Sequence, residues 1–228
     1  MAKRSVEFSA FQGFSEGAIS FLTELEKNNT RDWFNANKKR YQDELKAPFD
    51  AFVEDAEGTY GSGKTFRIYQ DQRFHKDRPP YKTHGSAVFE KRGVVHYVHL
   101  EKDHLFVASG CHEMRKDQLQ RFRDAIMDGR KGAKLQKLVD EAASAGLELG
   151  GEALKTAPRG FPKDHARIQL LRHKGLTTAR RLPIAKWMFT KKAGPRVVEI
   201  WREGAAINEW LEKHVGASEE GRRFVKKT

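Results

Sequence analysis

A chain of 228 residues with 38 % hydrophobic and 11 % aromatic side chains can bury a sizeable core and does not have the composition of a disordered protein. Its 43 Lys and Arg outnumber its 31 Asp and Glu, for a formal charge of +12, and the excess lies late: residues 161–228 carry 16 basic and 7 acidic side chains, residues 1–60 carry 8 and 11. A single cysteine, Cys111, excludes an intrachain disulfide, and no stretch reaches the roughly 18 apolar residues of a membrane span, so a cytoplasmic protein without a membrane partner is expected.

Ser15 is placed to cap a first helix whose Ala18, Phe21, Leu22 and Leu25 recur at helical spacing, with Asn28-Asn29 ending it. Thr30 reads as the next cap. The segment after it puts Phe34, Tyr41, Leu45, Phe49, Phe52 and Ala56 on one stripe, interrupted by Pro48, which kinks the helix or starts a new one. Gly61-Ser62-Gly63-Lys64-Thr65 ends like a phosphate loop but lacks its first glycine and preceding strand, and reads as a turn.

Strands are expected at Phe66 to Phe74, Ser86 to Glu90, Val94 to Leu100 and Leu105 to Ser109, with turns at Lys91-Arg92-Gly93 and Lys102-Asp103-His104 short enough for hairpins. Helical periodicity returns with Leu119, Phe122 and Ile126, stopped by Gly129, and with Leu135, Leu138, Val139 and Ala142, stopped by Gly146. Leu147 to Pro162 reads as loop with a short strand near Leu147 to Leu149. Asp164 is expected to cap a short helix through Leu171, and Pro195 to open a last helix carrying Val197, Trp201, Leu211 and Val215. The pattern is α+β: N-terminal helices, a central antiparallel meander of about four strands, and C-terminal helices. One domain over residues 1–228 is expected, with an ordered core near 8–215 and a basic tail.

The densest chemistry lies between Phe66 and His84. At strand period Arg67, Tyr69, Asp71, Arg73 and His75 share one face, and Phe66, Ile68, Gln70, Gln72 and Phe74 the other. Arg67 and Arg73 offer planar forks for paired oxygens, Lys76 and Lys82 add point charges, and Tyr81 and Lys82 follow a loop stiffened by Pro79-Pro80. That composition suits a phosphate-bearing ligand, with Asp71 the best general base if catalysis occurs. Arg31, near a helix start, and Trp33, able to stack on a ring, are candidates for a second wall. The competing reading is a lattice of Arg–Asp ion pairs in a scaffold domain.

A second binding reading rests on Lys163 to Arg196, which holds ten Lys or Arg against the single acid Asp164 and would suit nucleic acid. Cys111, flanked by His112 and Glu113, has no identifiable thiolate-stabilising partner and reads as structural. The nine histidines show no metal-ligand spacing, since His96 and His99 fall on opposite sides of a strand, so no protein-built metal site is expected, and no motif names a cofactor.

Three groups of strings together resemble the conserved hypothetical family catalogued as domain of unknown function 2461: Asn28 to Phe34 with Tyr41 and Pro48; Arg67-Ile68-Tyr69, Asp71, Arg73-Phe74, Lys76-Asp77 and Pro80 to Thr83; and Pro158 to Phe161 with Asp164-His165 and Leu171. The resemblance covers most of residues 8 to 215 and implies a cytoplasmic α+β domain without assigning an activity. This chain has Gln70, His75 and Arg78 where the family tends to have Arg, Ser and Lys, so Gln70 receives no anion-binding role.

Overall fold

A run of helices opens the chain: α1 (Glu16–Lys27), α2 (Arg31–Ala36), α3 (Lys38–Arg40) and α4 (Ala47–Tyr60), the last two joined by a π-helical turn over Tyr41–Lys46. The computed structural model describes residues 6–71 and 78–220. Both predicted caps are made: the Ser15 hydroxyl accepts from Gly17 N–H at 3.0 Å and the Thr30 hydroxyl from Trp33 N–H at 3.3 Å. Pro48 has no N–H to give Glu44, and the turn before it widens so that Ala47 N–H reaches the Gln42 carbonyl, five residues back. The extra residue keeps Phe34, Leu45, Phe49, Phe52 and Ala56 all buried.

The sheet has six antiparallel strands, β1 (Ser62–Thr65), β2 (Gly85–Lys91), β3 (Val94–Leu100), β4 (His104–Cys111), β5 (Glu148–Gly150) and β6 (Leu176–Pro183), ordered β1-β2-β3-β4-β6-β5. It therefore exceeds the expected four, and only three of those four are ladder strands. The 62–65 segment pairs with β2 instead of turning, with Gly63 opposite Phe89. A Cβ there would stand 2.7 Å from the Phe89 ring and 2.9 Å from Val53, so only glycine lets the strand lie this close. Of the expected strand from Phe66 to Phe74, residues 66–71 form no ladder strand but hold a Tyr69–Tyr81 bridge and a few backbone hydrogen bonds, and residues 72–74 lie outside the described residues. The β2–β3 hairpin turns on Arg92 (φ 52°) and Gly93 (φ 83°), both left-handed, as a two-residue loop requires.

Later helices are α5 (Lys116–Met127), α6 (Gly129–Ser144), α7 (Ile168–Arg172), α8 (Ala193–Glu203) and α9 (Ala205–His214), with a 3-10 turn at Lys186–Phe189. Gly129 begins α6 as well as ending α5, because Asp128 caps the amides of Arg130 and Lys131. Asp164 does not cap α7; His165 takes the Arg167 N–H at 3.0 Å, and the helix begins later. The predicted last helix is two, broken at Gly204, where a Cβ would stand 2.3 Å from the Thr178 hydroxyl.

Contacts group the chain into two compact units, Met1–Glu90 with His96–Val107 and Arg181–Ile200, and Lys91–Val95 with Ala108–Arg180 and Trp201–Thr228. The first has an aromatic core in which Phe11, Phe21, Phe34, Phe49, Phe52 and Phe89 are fully buried, each contributing roughly 1.5–3 kcal/mol relative to exposure. The second packs Cys111, Phe122, Ile126, Leu135, Leu171, Leu176, Trp210 and Leu211 into one cluster. Cys111, 5 % exposed there, is a core residue. Among the described residues no helix is long and apolar enough to cross a membrane.

Candidate functional site

The segment after β1 keeps the predicted alternation as far as residue 71. Arg67, Tyr69 and Asp71 are exposed, Ile68 is buried, and Phe66 and Gln70 are half-buried. It lies antiparallel to residues 80–82: Gln70 N–H donates to the Pro80 carbonyl at 2.8 Å and Lys82 N–H to the Ile68 carbonyl at 2.7 Å. Asn29 pins the returning strand, donating to the Tyr81 carbonyl at 2.9 Å and accepting from its N–H at 3.1 Å. Gln70 adds a bond to the same carbonyl at 3.4 Å, which accounts for an amide on the inward face.

Tyr81 is 3 % exposed and stacked on Phe34, ring centroids 4.0 Å apart at 16°, so its ring is committed to packing. Tyr69 beside it, 5.2 Å between centroids, is 53 % exposed and carries the accessible aromatic surface. Trp33 is half-buried against Phe21 at 5.7 Å. Arg31 is exposed in the first turn of α2, and its charge acts on Tyr81. That helix has only six residues and its Trp33 amide is taken by Thr30, so its start adds nothing to anion binding. Lys82 reaches back to the Arg67 carbonyl at 3.2 Å with its ammonium 5.3 Å from the Phe66 ring centre, and burial holds it below the usual lysine range. Among the described residues, no carboxylate lies within 4.0 Å of Arg31, Arg67 or Lys82. Arg73 and Lys76 lie outside the described residues, and Asp71 is exposed on the same side as Arg67 and Tyr69.

A histidine cluster adjoins this face through His84, whose ring lies 5.1 Å from His99. Burial and then the Lys82 charge lower the His84 pKa. His99 Nε2 stands 3.4 Å from His104 Nε2 and 3.5 Å from Glu101 Oε1, and ligand atoms of these three residues all lie within 4.8 Å of one another. His104 Nδ1 meets Asp103 Oδ1 at 2.6 Å, His99 Nδ1 meets the Tyr97 hydroxyl at 3.3 Å, and Arg181 donates to His104 Nε2. Burial, followed by repulsion from His84, His104 and Arg181, pushes His99 down to about 3. Reading spacing within one strand misses this set, because it forms across the turn between β3 and β4. Its sequence signal is the polar parity of Tyr97 and His99, continued by His104 after a three-residue connection.

The Lys163–Arg196 segment carries basic side chains in two kinds of surroundings. Its first part serves the fold: Arg167 caps the Ile126 carbonyl at 3.0 Å, Arg172 those of Leu154 and Lys155 at 2.6 and 2.5 Å, Lys174 pairs with Glu152 at 2.5 Å, and Arg180 with Glu203 at 2.5 Å. The later part gathers exposed Lys186, Lys191 and Lys192 around half-buried Trp187, with the Arg196 guanidinium 4.9 Å from its ring centre.

The fold is α+β, with Arg31, Arg67 and Tyr69 exposed and the rings of His84, His99 and His104 close to one another. The family model described as conserved hypothetical protein (DUF2461) matches residues 17–210, and the chain belongs to that family. No curated protein and no solved structure matches it.

Proposed function

We propose that the protein binds a phosphate-bearing ligand with an aromatic ring, a nucleotide or a nucleic-acid end, at the paired segments that carry Arg67, Tyr69 and Lys82, with Arg31 of α2 as a further cation. The observation that carries this reading is that Arg31, Arg67 and Lys82 have no carboxylate within ion-pair distance among the described residues, while Tyr69, on the strand face of Arg67, is 53 % exposed. A scaffold held by ion pairs would consume these charges. Phosphate oxygens suit the cations and a base suits Tyr69. In this reading Arg73 and Lys76 extend the anion contact, Tyr81 supports the face from beneath, Trp33 flanks it, and Asp71 is the base in any processing step.

The test is equilibrium binding of ATP and of inorganic pyrophosphate at low ionic strength. Arg67→Ala and Lys82→Ala should each weaken both ligands by about 10- to 100-fold. Tyr69→Ala should weaken ATP alone. Unchanged affinity in all three variants would refute the assignment.

The Trp187 patch favours a second reading, non-catalytic binding of nucleic-acid backbone by Lys186, Lys191, Lys192 and Arg196. It predicts steeply salt-dependent binding of single-stranded DNA that charge reversal at Lys191 and Lys192 abolishes and Arg67→Ala leaves intact.

A further inference from the structure

We propose that His99, Glu101 and His104 form a three-ligand site for a first-row divalent cation, with zinc the best match and its fourth position left for water or substrate. Two ligands bound to zinc at about 2.0–2.1 Å in tetrahedral geometry stand roughly 3.3–3.4 Å apart. His99 Nε2 lies 3.4 Å from His104 Nε2 and 3.5 Å from Glu101 Oε1, so two edges of that tetrahedron are already set. Two imidazoles and one carboxylate are also the donor set of zinc sites that keep one position for water or substrate.

The surroundings fix the ligand orientation. A guanidinium only donates, so Arg181 against His104 Nε2 makes that nitrogen an acceptor and puts the ring proton on Nδ1, facing Asp103 at 2.6 Å. This is the tautomer a metal needs on Nε2, with the carboxylate support typical of metal-bound histidine. Tyr97 stands at 3.3 Å from His99 Nδ1 and can hold the second ring in the same way, while Phe106 stacks on that ring at 4.9 Å and 22°. The two imidazoles are largely enclosed and the carboxylate sits at the rim: His99 and His104 are 14 % and 10 % exposed, Glu101 35 %. Arg181 already places a cationic group on the His104 lone pair and is itself exposed, so it must swing away for an ion to bind. A positive group at that position competes with a metal, which makes Arg181 a sign-specific probe.

The cation site stands apart from the phosphate reading, and its test contains no phosphate. Full-length protein, stripped with chelator, is titrated with Zn²⁺ by calorimetry and with Co²⁺ by visible absorption. One ion per chain is expected, with a four-coordinate Co²⁺ spectrum. His99→Asn and His104→Asn should abolish it, Asp103→Asn should weaken it about 10- to 100-fold, and Arg181→Gln should tighten it. Absence of saturable binding in the native protein, or one-to-one binding that survives both histidine substitutions, would overturn the proposal. If the histidine variants do not fold, Glu101→Gln, at the exposed rim, decides: weaker binding supports the site and unchanged binding refutes it.

Discussion

Asn29 substitutes for a neighbouring strand, closing both backbone hydrogen bonds of Tyr81 with one side-chain amide at 2.9 and 3.1 Å. Removing it leaves a half-buried donor and acceptor without that partner. Asn29→Ala should cost about 2–3 kcal/mol in urea denaturation, with faster amide exchange at Tyr81. An unchanged midpoint would mean that water replaces the amide without loss.

The two tyrosines of the bridge should separate cleanly by substitution. Tyr81→Ala opens a void under Phe34 and should destabilise by about 3–5 kcal/mol. Tyr69→Ala, at an exposed position, should shift stability by less than about 1 kcal/mol while weakening ATP. Thermal melts of the pair are sufficient to check the first half.

Gly63 and Gly58 should respond in opposite directions to the same added methyl. Gly63→Ala drives a Cβ into Phe89 and Val53 and should cost about 1–3 kcal/mol. Gly58 lies inside α4, and an alanine methyl there would meet nothing within 4 Å, so Gly58→Ala should stabilise by roughly 0.5–1 kcal/mol. Urea midpoints of the two variants give the comparison.

Acid should loosen the segment after α9. Burial pushes the Asp117 carboxyl up, but the Glu219 N–H, the Ser218 hydroxyl, the Gln118 backbone and Arg121 outweigh it and hold the group down to about 2. A lowered carboxylate contributes stability that is complete above its ordinary value near 3.8 and disappears as pH falls through about 2. Asp117→Asn should therefore be less stable than the native protein at pH 6, with the gap closing toward pH 2. A gap independent of pH would refute the carboxylate as its source.

The sequence makes helical elements legible where local chemistry suffices: Ser15 and Thr30 cap as their side chains require, and the Arg92-Gly93 turn follows from its left-handed residues. The alternation of residues 66–71 is also readable, because one face is buried and the other is not. What local chemistry does not convey is proximity. The β1 strand depends on Phe89 and Val53 accepting a glycine, and β6 carries a basic sequence whose Arg180 finds Glu203 only after folding. Tyr81 has the side chain of a ligand contact, but its stacking on Phe34 decides its role. The histidine cluster needs the hairpin that brings residue 104 to residue 99.

The π-helical turn at Tyr41–Lys46 also sets a phase relation along the chain. Deleting one residue there would rotate everything before it by about 100° relative to α4. Tyr41 would then lose its hydrogen bond to the backbone of Ile68, which lies beyond α4. The extra residue works as a spacer between two periodic patterns, so related chains that align without a gap across this turn should keep its length even where its side chains differ.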